Sequence, residues 1–69
     1  MTDKEFVISI FPQAYSIYVT WLPMKGYVIW AVGWSKNVNN ISDIHVLEID
    51  AWKEAAVNIR LDILNKLEK

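Results

Sequence analysis

A chain of 69 residues makes one domain, residues 1–69, and a domain of this size buries only about 60% of the surface its unfolded form exposes, so its core is thin. With no Cys there is no disulfide or thiolate site, and one His argues against a structural metal centre, so no metal is expected. The net charge of −1 and the dispersed lysines and arginine exclude a basic footprint for phosphate, so no nucleic-acid partner is expected.

The chain begins with two competing signals. Thr2 and Glu5 have the spacing of a capping box, and Pro12 stands where a helix stops, which predicts a short helix over 3–11. "FVISIF", residues 6–11, also alternates like a strand, and a fourth strand is the alternative there. Next, "YSIYVTWL", residues 15–22, alternates with period two. Tyr15, Ile17, Val19 and Trp21 lie on one side and Ser16, Tyr18 and Thr20 on the other, the pattern of a half-covered strand. "PMKG", 23–26, reads as the turn, with Pro presetting one dihedral and Gly26 free to take positive φ. A second strand follows over 27–34, apolar on both faces, as a central strand would be.

"KNVNN", 36–40, reads as a surface loop. "DIHVLEI", 43–49, reads as a third strand. Asp50 is placed as the N-cap of a helix over 51–67, its carboxylate accepting the free N–H groups of the first turn. Asp62 and Lys66 are spaced to pair along that helix. The expected fold class is therefore α+β: an antiparallel sheet of three strands, or four, covered by a C-terminal amphipathic helix, with a short helix at the N-terminus.

"FPQAY" ahead of the hairpin and "AWKEAA" at the start of the last helix resemble motifs of a loose group of small phage, prophage and cyanobacterial proteins. The matching positions are Phe11, Pro12, Ala14, Ala51, Trp52, Ala55 and Ala56. The resemblance implies a phage-type accessory or inhibitor role. It brings with it no common activity and no functional residue.

Catalytic constellations are absent from the sequence. Ser9, Ser16, Ser35 and Ser42 lack a nucleophile-elbow context, and two Gly residues cannot build a loop that cradles phosphate. No enzyme and no cofactor are expected. His45 lies near Asp43, Glu48 and Asp50, but on a strand Glu48 would point away from it, so it reads as a structural or surface residue. The acidic run Asp43, Glu48, Asp50 and Glu54 reads as a solvated edge and cap.

The apolar share of 54%, with four Trp, is high for so small a chain and points to contact with a protein partner or with a second copy. Two surfaces are candidates. On the last helix, Trp52, Ala55, Ala56, Ile59, Ile63 and Leu67 form the stripe that faces the sheet, and Val57, Leu61 and Leu64 form a second strip roughly opposite. The simplest use of that strip is a homodimer, helix against helix. On the sheet, if the helix covers the Tyr15/Ile17/Val19/Trp21 side, the other face shows Tyr18 with Trp30 and Trp34, or with Tyr27, depending on register. An aromatic sheet face also suits stacking on nucleic acid. That alternative lacks flanking cations, since Lys25 is the only charge between Phe6 and Ser35.

A membrane segment is not expected: the uncharged run 6–24 contains Pro12 and Pro23 and polar residues, where a span needs about 20 mostly apolar residues in a row. Asp3 and Glu5 precede that run, unlike a signal peptide, and the lack of Cys fits a reducing compartment, so the expected location is cytoplasmic. The sequence as a whole reads as a small protein-interaction module.

Overall fold

The computed structural model describes residues 1–21, 23–34 and 39–67. The fold is α+β, in the order α1 (Asp3–Ile10), β1 (Tyr15–Trp21), β2 (Met24–Trp30) and α2 (Glu48–Leu67). Helix α1 forms where its capping box predicts. The Thr2 hydroxyl accepts from the Glu5 N–H at 3.1 Å, and the Glu5 carboxylate accepts from the Thr2 N–H at 2.9 Å. Both residues thereby satisfy donors that the first turn leaves unpaired. The helix reading of 3–11 holds, and the fourth strand does not form.

Strands β1 and β2 form an antiparallel hairpin with Tyr15 opposite Trp30, Ile17 opposite Val28 and Trp21 opposite Met24. The turn is tighter than "PMKG" suggests, because Met24, Lys25 and Gly26 belong to β2. Gly26 serves a close approach rather than the turn. A Cβ there would run into the His45 carbonyl and the Ile44 side chain. The sequence reading carried β2 on to Trp34. The strand ends at Trp30, and Trp34 closes a short turn by donating its N–H to the Ala31 carbonyl at 3.3 Å. The expected end of the first strand, Leu22, and most of the expected loop, 36–38, lie outside the described residues.

Among the described residues the sheet has two strands, not three or four. The predicted third strand over 43–49 divides. Residues 39–45 run alongside β2 with isolated bridges at Asn40 and His45, and α2 already begins at Glu48. Tyr27 and His45 exchange both backbone hydrogen bonds, at 2.7 and 3.0 Å. The Ile41 N–H reaches the Ile29 carbonyl at 2.7 Å, but the Ile29 N–H finds the Ser42 hydroxyl at 3.0 Å instead of a carbonyl. One side chain thus replaces one rung of the ladder, and pairing is interrupted there before it resumes at His45. Asp50 is not the N-cap. It sits inside the first turn, its N–H directed to the Leu47 carbonyl at 3.2 Å, where its charge still favours the helix N-terminus.

Register settles which sheet face is covered. Tyr27 and Ile29 face the core and Ala31 is buried just beyond the strand, so α2 lies over the Ser16/Tyr18 side of β1 and not over the Tyr15/Ile17/Val19 side, a choice that periodicity leaves open. The core joins Val7 of α1, Ile29, Ala31, Ile41, and Ala51, Trp52, Ala55, Ala56 and Ile59 of α2. The three alanines let α2 approach closely. Trp52 is buried, and its indole N–H donates to the Glu48 carboxylate at 2.9 Å. Trp52→Ala is expected to lower stability by about 3–5 kcal/mol, most of what a domain of this size possesses. A urea unfolding curve checks it: a midpoint close to the parent's would contradict this packing.

Candidate interaction surfaces

The residues expected to form a site are not gathered into one. Tyr18 lies on the helix side of the sheet, edge-on to Tyr27 with ring centroids 5.1 Å apart, and stays 55% exposed. Trp30 points to the opposite face. Trp34 lies beyond the end of β2, half-buried against the core and edge-on to Phe11 at 5.9 Å. An aromatic platform made of Tyr18, Trp30 and Trp34 is therefore corrected: register puts Tyr27, not either Trp, beside Tyr18.

The sheet face away from α2 carries a mainly apolar groove lined by Ile17, Val19, Met24, Val28, Trp30 and Ile44, with Asn40, Ser42 and Asp43 on its polar side. Lys25 is on the other face, opposite Thr20, so no side chain of the two strands brings positive charge to this groove. That electrostatic arrangement suits an apolar partner and not a phosphate backbone.

The α2 strip is exposed as the sequence suggested: Val57 is 45%, Leu61 53% and Leu64 54% accessible. The core stripe, however, stops early. Ile63 is 38% and Leu67 77% accessible, and among the described residues nothing after Ile59 on α2 is buried. The last two turns thus extend past the core, exposing aliphatic side chains on both predicted stripes. At 100° per residue, Ile63, Leu67, Leu64, Val57 and Leu61 span an arc of about 160°. The Asp62–Lys66 pair forms at 3.1 Å on the remaining side.

A polar clasp on α2 escaped the sequence reading. Glu54 and Asn58, one turn apart, both face segment 39–45. Glu54 accepts the Asp43 N–H at 2.5 Å and lies 3.0 Å from the His45 Nε2, while Asn58 donates to the Ile41 carbonyl at 2.7 Å. Glu54 is a structural anchor, not part of a solvated acidic run. The signal available was a Glu–Asn pair at i, i+4 on the margin of an apolar stripe.

The His45–Glu54 pair has the groups of an acid–base dyad. The buried Ser42 hydroxyl is engaged by the Ile29 N–H and the Asp43 carbonyl. Among the described residues no three His, Asp or Glu side chains converge as metal ligands would. No helix among them is long and apolar enough to cross a membrane.

Three carboxylates are shifted by these contacts. Burial pushes Glu54 up, but the Asp43 N–H and the His45 ring together outweigh it and hold the group below the ordinary Glu value. The Trp52 indole N–H, then the Ser16 hydroxyl, lower Glu48, and the Thr2 N–H lowers Glu5. Comparison with known protein families, curated proteins and solved structures gives no significant match.

A lowered folded-state pKa contributes stability above the ordinary Glu value of 4.5 and loses it as pH falls through the folded value. These carboxylates are therefore expected to lose their contribution to stability as pH falls below about 5. Glu54→Ala is expected to remove about 1–2 kcal/mol at neutral pH and to flatten the acid decline. Urea unfolding at pH 7 and pH 4 measures both effects.

Proposed function

We propose that this protein is an interaction module that acts by binding another protein, with the projecting end of α2 as its docking element. The observation that supports this is the overhang: Leu61, Ile63, Leu64 and Leu67 sit past the last buried residue of α2, on a chain whose core is too small to cover them. Apolar side chains at i, i+4 and i+7, here Val57, Leu61 and Leu64, are the anchors of a helix laid into a groove. The wide arc favours a partner that wraps the helix over a flat mate such as a second α2, which would meet only one strip. The motif resemblance supports an accessory or inhibitory role of the phage type.

Burying one Leu contributes about 2 kcal/mol, so Leu61→Glu is expected to weaken partner binding by roughly 30-fold or more. Because Leu61 lies outside the core, circular dichroism and the melting temperature of the isolated chain should stay within a few degrees of the parent. Paired capture from host lysate, parent against Leu61→Glu, with mass spectrometry, tests the proposal. One discrete protein retained by the parent and lost by the variant supports it. Identical captured sets would overturn it.

A further inference from the structure

The two edges of the sheet are treated differently. Along β2, segment 39–45 occupies the outer edge and takes up the backbone groups of Tyr27, Ile29 and Ala31. In an antiparallel pair the N–H and C=O of one residue point the same way, and the direction alternates along the strand. The groups of Met24, Gly26, Val28 and Trp30 therefore point to β1, and pair with Trp21, Val19, Ile17 and Tyr15. It follows that Ser16, Tyr18 and Thr20 direct their N–H and C=O groups outward, where among the described residues no strand or loop meets them.

Exposed edges are commonly blocked by a charge, a proline, a bulge or a covering loop. Strand β1, "YSIYVTW", has no charge and no proline over seven residues. Its register with β2 is continuous, without a bulge. The molecule blocks one edge and leaves the other ready for a strand.

We infer that this edge binds the β1 strand of a second copy, antiparallel, about a two-fold axis at Tyr18. The strand is its own complement. Centred there, Tyr18 meets Tyr18, Ile17 meets Val19 and Ser16 meets Thr20 of the second copy. Aromatic, β-branched and hydroxyl pairs of this kind stabilise antiparallel sheets. The outward groups at 16, 18 and 20 are symmetric about the same point, so all of them are used in a ladder of about six hydrogen bonds. Helix α2 packs mainly on α1 and β2 and touches β1 least of the three. The product is a four-stranded sheet with all helices on one side and the grooves lined by Ile17, Val19 and Trp30 joined on the other. This rests on the β1 edge alone and stands or falls separately from the α2 overhang.

Light scattering at micromolar concentrations is expected to give twice the chain mass of 8.0 kDa. Thr20→Pro deletes one outward N–H at a position where an edge strand tolerates proline, and should halve that mass. Thr20→Val and Leu61→Glu should both remain dimeric. An independent variant covers the case in which Thr20→Pro does not fold. Facing residues of a hydrogen-bonded pair have Cα atoms about 5.5 Å apart, within disulfide reach. The chain has no Cys, so Tyr18→Cys should cross-link to dimer under mild oxidation while Ser9→Cys, exposed on α1, stays monomeric. A parent mass of 8.0 kDa, no selective cross-link at position 18, or dissociation by Leu61→Glu but not by a folded Thr20→Pro overturns the inference.

Discussion

The hydrogen bonds that hold residues 39–45 between β2 and α2 decide where everything else can lie. From one side the segment takes Tyr27, Ile29 and Ala31 of the hairpin and its exit; from the other it takes Glu54 and Asn58 of the helix. Neither a two-stranded hairpin nor an isolated helix is stable in water on its own. The segment joins them, and it buries Ile41 at the joint. Gly26 belongs to the same arrangement, since any side chain there would push His45 off β2. Helix α1 then closes the remaining side. Val7 enters the core, Arg60 stacks over Phe6 at 4.3 Å, and Lys4 stands 5.5 Å from the Trp52 ring. Contacts of the latter kind contribute about 0.5–1 kcal/mol each at exposed sites.

The parts of this fold that were legible in the sequence are those set by local chemistry. Thr2 and Glu5 announced α1 because a capping box is satisfied within four residues. The alternation over 15–21 announced β1, and the spacing of Trp52, Ala55, Ala56 and Ile59 announced the buried stripe of α2. The parts that were not legible depend on contacts distant along the chain. Both faces of β2 are apolar, so periodicity could not say which one α2 would cover. The run 43–49 alternates as a strand would, yet the hydroxyl of Ser42 interrupts the ladder just before it, the pairing returns only at His45, and Leu47 turns the chain into the helix. The strip Val57, Leu61 and Leu64 was legible because it needed only helical geometry. The clasp formed by Glu54 and Asn58 was not, because its partners are the backbone of residues 41–43 and the His45 ring.

A core built on such a frame has a limit that shapes what the protein can do. Segment 39–45 spans the width of β2, and α2 is long enough, at 20 residues and about 30 Å, to run past it. Among the described residues no side chain beyond Ile59 on α2 is buried, and none forms a second layer over the groove on the other face of the hairpin. A larger domain would have covered both. Here the apolar surplus, the unblocked β1 edge and the projecting helix all follow from one small frame carrying more apolar surface than it can enclose.

Held together in this way, segment 39–45 and the α2 core should open as one cooperative unit. Native-state amide hydrogen exchange read by NMR tests it most directly. The amides of Tyr27, Ile29, Ala31, Ile41 and His45 are expected to exchange as slowly as those of Ala55, Ala56 and Ile59, all through the same global opening. Fast exchange at Ile41 and His45 alongside full protection of α2 would contradict it, since the helix would then hold its place without the segment.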